Sequence, residues 1–253
     1  MIPQRTPKEV VLLRFFPLPN EIFHGGITAC EFAIMAYLYS RAARKLGPPN
    51  LMTVLNHLSV SRNMLKKYVR RLQKRDWIIV QYHRFSFPLV LSMKAAIHLT
   101  NAPKLRVGYF FPMPVSVFGL DLSVGELAVY GYLLYCEDRE SFECWPSSKT
   151  IGAALHMSKN TVLKYVHRLE EKEFIVTEPT WVQRSDGTKW NGNLSYHIRP
   201  IQSVIKRYND VQMKKARQEQ ERFCLERLAK RHPGLRVTIH SPEAADSLDF
   251  HGF

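Results

Sequence analysis

The sequence predicts a mainly α-helical protein with small β-hairpins, in which one unit of about 70 residues occurs twice and a further helix follows. Three observations predict this fold class. The chain repeats itself at a nearly fixed offset, each copy carries three helical segments with apolar stripes, and each copy then continues into a β-branched run. A formal net charge of +14 over 253 residues indicates, in addition, a polyanionic partner.

The internal repeat decides the architecture. The letters FFPLP at residues 15–19 return as FFPMP at residues 110–114, an offset of 95. After one loop the offset becomes 97, and Lys67-Tyr68-Val69 then matches Lys164-Tyr165-Val166. Because this unit is longer than the roughly 20–50 residues of a solenoid repeat, the pattern predicts two similar small domains.

The first helix of each copy begins at a capping box. Thr28 precedes Glu31 by three residues, and Ser123 precedes Glu126 in the same way. In such a pair the hydroxyl accepts a hydrogen bond from an otherwise unpaired backbone amide, while the carboxylate reaches back to the cap residue. Long apolar stretches follow both boxes, so we expect two long helices with broad buried faces.

A short second helix and a longer third helix follow in each copy. The second is predicted to end at Leu58 or Leu155, and the third to begin after a cap at Ser61 or Ser158. Apolar residues then recur at spacings of three and four, which predicts the buried stripe of the third helix. These residues are Leu65, Val69 and Leu72 in the first copy, and Val162, Val166 and Leu169 in the second.

Each third helix leads into a predicted β-hairpin. The β-branched runs are residues 77–80 and 174–177, and the alternating segment 194–198 supplies a return strand in the second copy. In the first copy the hairpin is placed within residues 81–91, although Pro88 disfavours a central strand there. Three helices followed by a hairpin form a winged helix-turn-helix.

The motif between Pro146 and Ile175 resembles the bacterial winged helix-turn-helix family, with Ser158-Lys159-Asn160-Thr161-Val162 as its centre. The preceding pieces, Phe-x-x-Pro-x-x-x-Phe and Leu-Ser-x-x-Glu-x-x-x-Tyr-x-x-Leu, are similar to the N-terminal domain of plasmid replication initiators. The resemblance covers about residues 12–80 and 108–200, is closer in the second copy, and implies DNA binding. Both copies depart from it at positions where a turn glycine is usual, which are occupied by Ser59, Asp76, His156 and Glu173.

These patterns predict five segments: a first winged domain at 12–92, a connection at 93–107, a second winged domain at 108–200, a C-terminal basic helix at 201–231 and a disordered tail at 232–253. The connection holds Ala95, Ala96, Ile97 and Leu99, so we expect it to pack between the domains and fix the angle between their third helices. For the C-terminal helix three readings stay open: docking on the winged domains, homodimerisation, or contact along DNA.

Candidate DNA-binding residues lie on the third helices, whose N-terminal ends can reach base edges in a major groove. Arg62 suits guanine and Asn63 suits adenine, whereas the later cations suit phosphates. The first-copy candidates are Ser61, Arg62, Asn63, Lys66, Lys67, Arg70, Arg71 and Lys74. Those of the second copy are Ser158, Lys159, Asn160, Thr161, Lys164, His167 and Arg168. Arg184 and Lys189 are candidates on the second wing, the alternative being a simple exposed turn.

The two copies differ strongly in charge. Residues 1–104 carry a net charge of +12, whereas residues 105–199 carry −1. We therefore expect the first copy to hold most of the DNA affinity, and the second to bind more weakly, to play a structural part or to bind a protein.

Other site classes find no support in the sequence. It has no phosphate-binding G-x-x-x-x-G-K motif and no nucleophile elbow, and its four cysteines have neither disulfide-framework nor zinc spacing. Nor is there a membrane-length apolar run. The paired Phe15-Phe16 and Phe110-Phe111 are interpreted as core residues rather than stacking platforms. We thus expect a cytoplasmic protein that is not an enzyme and binds no metal or cofactor.

The sequence thus predicts sequence-dependent binding of double-stranded DNA by a bacterial transcriptional regulator or mobile-element regulator. One alternative is a plasmid or mobile-element replication initiator that binds origin repeats and recruits replication proteins. Another is a protein–protein interaction module built on winged helices.

Overall fold

The computed structural model describes residues 15–81, 95–100, 110–183 and 189–231. Within these ranges the protein is mixed α/β, with seven α-helices and three small antiparallel sheets. The chain divides between Ile205 and Lys206 into two compact units. We refer to residues 15–100 as the first half and to residues 110–200 as the second half; both belong to the first unit.

The two halves share one order of elements, a strand, a short 3-10 segment, three helices and a hairpin, to which the second half adds the short strand β5 (Glu143–Cys144). In the first half these are β1 (Phe15–Pro19), α1 (Ala29–Ala43), α2 (Leu51–Leu58), α3 (Arg62–Lys74), β2 (Ile78–Gln81) and β3 (Ala96–Leu99). In the second half they are β4 (Phe110–Pro114), α4 (Val124–Cys136), β5 (Glu143–Cys144), α5 (Ser148–Leu155), α6 (Lys159–Glu171), β6 (Ile175–Gln183) and β7 (Lys189–Ile198). Helix α7 (Ile201–Arg231) follows.

The predicted helix starts and core stripes are confirmed. Both capping boxes form, Thr28 with Glu31 and Ser123 with Glu126, so two unpaired amides at each N-terminus gain partners. Ser61 and Ser158 cap α3 and α6. The apolar stripes of α3 and α6 predicted above are buried in both halves. Amphipathic spacing therefore sets which face of each third helix meets the core.

The four residues that replace turn glycines adopt the conformation that glycine favours. The φ angles are 50° at Ser59, 52° at His156, 56° at Asp76 and 59° at Glu173. Left-handed backbone of this kind costs a non-glycine residue about 1 kcal/mol. The turns thus retain their left-handed backbone although the residues are not glycine. Equivalent positions in the two halves have similar φ angles.

The wing of the first half differs from its prediction. β2 pairs antiparallel with β3, so Ala96–Leu99 is the return strand and belongs to the first half. The predicted boundary at 92 and the connection beginning at 93 are therefore wrong, and the predicted hairpin within 81–91 falls almost wholly outside the described residues. Ala95 and Ile97 pack at the start of α2, where Leu51 N donates to Ala95 O at 3.2 Å and Ile97 N to Pro49 O at 2.9 Å.

The wing of the second half is longer. β6 and β7 pair from Ile175 with Ile198 out to Gln183 with Lys189, and β5 adds a third strand along β7. An irregularity in the register falls between Pro179 and Trp181, where proline lacks the amide that a regular ladder needs.

The two halves share one core. β1 pairs antiparallel with β4, and α1 packs on α4. Phe16 and Phe111 are buried in this joint while Phe15 and Phe110 are exposed, so the core interpretation of the Phe-Phe pairs holds for the second member of each. Gly131 on α4 permits the close approach, because a Cβ there would lie 2.3 Å from the Phe32 ring.

The residues of α7 from Lys206 onward form a highly exposed helix, with Met213, Phe223 and Leu228 about half exposed or more. Arg222 pairs with Glu226 one turn later, at 3.7 Å. In the part of the chain that the structure describes, no helix is long and apolar enough to cross a membrane.

Candidate nucleic-acid interface

The outer face of α3 is a continuous basic surface. Arg62, Asn63, Lys67, Arg70 and Lys74 are exposed, and Lys66 is half-buried. None of these cations lies within ion-pair distance of an acid among the described residues. Because these cations have no acidic partner among the described residues, they are available to neutralise phosphates. We call these six residues the α3 basic face.

Arg71, which was predicted to contact phosphate, forms an ion pair within the protein. Its Nε lies 3.1 Å from Oε1 of Glu31, whose side chain is completely buried. The other oxygen of Glu31 accepts from Thr28 N at 2.9 Å and Thr28 Oγ1 at 2.7 Å. The capping carboxylate of α1 therefore holds α3 through Arg71, so this arginine sets the position of the α3 basic face.

The same anchor recurs in the second half with an extra cation. Glu126 Oε2 accepts from Lys172 Nζ at 2.9 Å and from Ser123 N at 2.7 Å, while Arg168 Nη1 lies 3.9 Å from Oε1. Burial raises the pKa of Glu126, but hydrogen bonds from Lys172 and Ser123 and the lysine charge outweigh it, so its pKa lies below the ordinary value. Arg168, predicted to contact DNA, is thus oriented toward a buried carboxylate.

The outer face of α6 is less basic. Lys159, Asn160 and Lys164 are exposed, and His167 lies 3.6 Å from Glu171 one turn later. Leu163 is half-buried at the position that Lys66 occupies in α3. Of the predicted second-half residues, Lys159, Asn160, Lys164 and His167 are therefore exposed on α6, and an acid accompanies His167.

The candidate serines serve as helix caps. Ser61 Oγ accepts from Met64 N at 3.3 Å, and Ser158 Oγ accepts from Thr161 N at 3.2 Å. Thr161 Oγ1 also lies 2.8 Å from Ser158 Oγ. These hydroxyls are committed to the N-terminal turns, which leaves Arg62-Asn63 and Lys159-Asn160 as the exposed pairs nearest each helix start.

The second wing presents aromatic residues that the sequence reasoning missed. Trp181 is 62% exposed on β6 and Trp190 is 57% exposed on β7. Two tryptophans on either side of the turn-forming letters Asp186-Gly187 were the available signal in the sequence. Of the predicted wing residues, Arg184 lies outside the described residues. Lys189 begins β7, paired with Gln183.

Two further cations bind backbone at equivalent places. Arg75 donates to Gly25 O at 3.2 Å and Gly26 O at 3.1 Å, and Lys172 donates to Asp121 O at 2.5 Å. Gly26 has a φ of 62° and abuts His156, so a Cβ there would lie 2.8 Å from Nε2. The loop before α1 thus touches both the end of α3 and the turn before α6.

Apart from these surfaces, a pocket of about 400 Å³ is lined mostly by the second half, together with Phe15 of β1 and the start of α7. Its lining includes Tyr130, Leu134, Glu137, Phe142 and His197. Burial raises the pKa of Glu137 to about 7, an effect that Arg139 opposes. Among the described residues no group of three His, Cys, Asp or Glu side chains is arranged to hold a metal ion.

Comparison with known proteins identifies one domain. Residues 120–175, which contain α4, α5 and α6, match the family model of a helix-turn-helix domain. No curated protein matches. Among solved structures, a possible transcriptional regulator from Methanosarcina mazei Go1 is 20% identical and aligns over 44% of this chain and 89% of its own, with a TM-score of 0.30. The family match shows that the second half contains a helix-turn-helix domain.

Proposed function

We propose that this protein is a sequence-dependent double-stranded DNA-binding regulator with two tandem winged helix-turn-helix domains, in which α3 and α6 contact DNA. The observation that carries the proposal is the α3 basic face: five cations, exposed or half-buried, without an ion-pair partner among the described residues. The helix-turn-helix match to residues 120–175 supports the same role for the second half.

The N-terminal end of α3 supplies base recognition in this proposal. Arg62 and Asn63 are the first two residues of the helix and both are exposed. Arginine pairs with the two acceptors of guanine, and asparagine with the acceptor and donor of adenine, so these side chains discriminate sequence. Lys67, Arg70 and Lys74 follow farther along the helix and bind phosphates.

Rigid placement of α3 is the task of Arg71. A recognition helix must hold its side chains within about 0.5 Å of the positions from which they hydrogen-bond to base edges. The buried Glu31 has its Oε2 fixed by Thr28, so the pair with Arg71 gives α3 one orientation against α1. Arg71 is therefore a positioning residue. The role proposed for the protein as a whole is DNA binding, without catalysis, metal or cofactor.

A competition binding assay tests the proposal. The full chain is titrated against a duplex selected from a random pool and against an unrelated duplex, each at several salt concentrations. We expect log K to fall linearly with log salt for both duplexes, and tighter binding to the selected one. No preference between the duplexes, or binding that salt leaves unchanged, would contradict sequence-dependent DNA binding.

Base recognition is tested with Arg62→Ala and Asn63→Ala. Each is expected to lower the preference for the selected duplex by roughly 1–3 kcal/mol, with a smaller loss on unrelated DNA. Lys74→Ala is the matched control on the same face, because a phosphate contact loses affinity equally on both duplexes. If Arg62→Ala and Asn63→Ala behave like Lys74→Ala, another surface reads the bases.

A further inference from the structure

The joint between the two halves is symmetric in its backbone pairing. Phe15 pairs with Pro114 and Pro19 pairs with Phe110, while Pro17 pairs with Pro112 at the centre. The sequence repeat relates Phe15 to Phe110, Pro17 to Pro112 and Pro19 to Pro114. Exchanging the halves therefore returns the same set of pairs, which is the property of a two-fold rotation through the Pro17–Pro112 pair.

The side chains across the joint obey the same exchange. Phe16 stacks on Phe118 at 6.1 Å with an interplanar angle of 26°, and its repeat equivalent, Phe111 on Phe23, stacks at 5.8 Å and 26°. Tyr37 meets Phe118 edge-on at 5.4 Å and 81°. The equivalent Tyr132 meets Phe23 at 5.0 Å and 82°. Two independent kinds of contact thus point to one approximate two-fold axis.

The same axis relates the two third helices, because each is fixed to its own half by equivalent contacts. Arg71 binds Glu31 as Arg168 approaches Glu126, and the cation after each third helix, Arg75 or Lys172, binds the loop before the first helix. A rotation that exchanges α1 and α4 therefore exchanges α3 and α6. Such a rotation reverses the component of the helix direction that is perpendicular to the axis.

On this basis, which depends on the proposed function, we propose that one chain recognises an inverted repeat: two half-sites of opposite orientation on one duplex, one read by α3 and the other by α6. B-DNA has two-fold axes perpendicular to its length. A protein with two-fold-related reading helices therefore matches half-sites that are inverted rather than tandem. A homodimer makes this match with two chains, whereas here one chain carries both helices.

The inverted repeat is imperfect because the reading helices differ. Asn63 and Asn160 are equivalent and give both half-sites a shared adenine. Arg62 is replaced by Lys159, and Lys66 by Leu163, so neighbouring bases differ between the half-sites. The half-site of α6 is the weaker one, since its cations are fewer and partly paired.

The test uses the full chain and a variant whose α6 carries the outward residues of α3 over the first nine positions of the helix. This symmetrised variant is Lys159→Arg, Thr161→Met, Leu163→Lys and His167→Arg. The reverse variant, Arg62→Lys, Met64→Thr, Lys66→Leu and Arg70→His, gives α3 the residues of α6 and serves if the first does not fold. Binding sites are selected from random duplexes for wild type and variant, and the number of chains per duplex is measured by native mass spectrometry.

We expect the symmetrised variant to select a more perfect inverted repeat than wild type, with one chain per duplex. Reversing one half-site at constant spacing should weaken wild-type binding about 10- to 100-fold. A tandem repeat, a lone half-site, or two chains on each inverted repeat would overturn the inference while leaving DNA binding intact. If wild type binds no duplex, the proposed function itself fails and the inference falls with it.

Discussion

α3 and α6 occupy equivalent places in the two halves, yet they present different surfaces. In α3, no described acid pairs with Lys67 or Arg70, whereas the equivalent positions of α6 hold Lys164 and a histidine, His167, beside Glu171. Both helices bury three apolar residues at equivalent positions. The comparison teaches that equivalent buried stripes can place two third helices alike, while their outward residues give them different surface charge.

The anchors beneath the two helices differ as well. Glu31 has Arg71 as its one ion-pair partner among the described residues, at 3.1 Å, whereas Glu126 is shared by Lys172 and Arg168. Thus α3, the more basic helix, is held to the core by one ion pair, whereas α6 and the residue that follows it form two. The half with more exposed cations on its third helix therefore has fewer ion pairs beneath that helix.

The largest difference is expected in DNA affinity. Lys67→Ala/Arg70→Ala removes two phosphate contacts, which should weaken binding roughly 50-fold at 0.1 M salt and lower the salt slope by about 1.8. The aligned pair Lys164→Ala/His167→Ala should cost less than about 10-fold, because neutral histidine contributes little charge. Fluorescence anisotropy across a salt series measures both. Equal losses would show that the two surfaces contribute alike.

The anchors are compared by unfolding free energy. Arg71→Ala leaves the buried Glu31 carboxylate without its cation and should cost about 3 kcal/mol, whereas Arg168→Ala should cost under about 1 kcal/mol since Lys172 remains. Urea denaturation of the full chain measures both. Adding Glu31→Gln to Arg71→Ala should recover part of the loss. Equal costs for the two single variants would remove the distinction between the anchors.

A pH-dependent difference is expected from Glu137, a carboxyl that the first half replaces with Ala42 at the 95-residue offset. Its pKa is raised to about 7 from an ordinary 4.5, so the folded state binds this proton more tightly than the unfolded state. The contribution of Glu137 to stability is therefore fully present below about pH 4.5 and is lost as the pH rises through about 7.

Glu137→Gln removes this penalty and should stabilise the protein by roughly 1–2 kcal/mol at pH 8, with little effect at pH 4. Thermal and urea unfolding at both pH values measure the difference. Glu140→Gln, in the exposed loop that follows, is the control and should change little at either pH. A gain of the same size at pH 4 would trace the effect to packing instead.

The smallest effect is expected at the strained turns. Ser59→Gly should stabilise the first half by about 0.5–1 kcal/mol, because glycine adopts a φ of 50° without steric cost. His156→Gly should gain less, since it also loses the contact between the imidazole and Gly26. Chemical denaturation of both variants, with Ser59→Val as a destabilising control, checks the order. A loss of stability in Ser59→Gly would contradict it.

Local patterns in the sequence were enough to predict the helices and their caps, because capping boxes and apolar stripes act over a few residues. Ala96–Leu99 was misassigned because its partner, Ile78–Gln81, lies about fifteen residues earlier, and strand pairing over that distance leaves no local signature. The contact between Arg71 and Glu31 could not be predicted for a similar reason. Its helical position faces outward by periodicity, but its guanidinium reaches a buried carboxylate on another helix.

The prolines of β1 and β4 affect how readily this sheet can aggregate with other chains at high concentration. Pro17 faces Pro112, and neither has an amide hydrogen, so this pair cannot be a hydrogen-bonded one. By alternation Pro19 and Pro114 also stand where an amide would point away from the partner strand. The outer edges of this two-stranded sheet therefore keep an amide donor only at Phe15 and Phe110. A third strand finds almost no donors to pair with, which protects the joint from edge-to-edge aggregation.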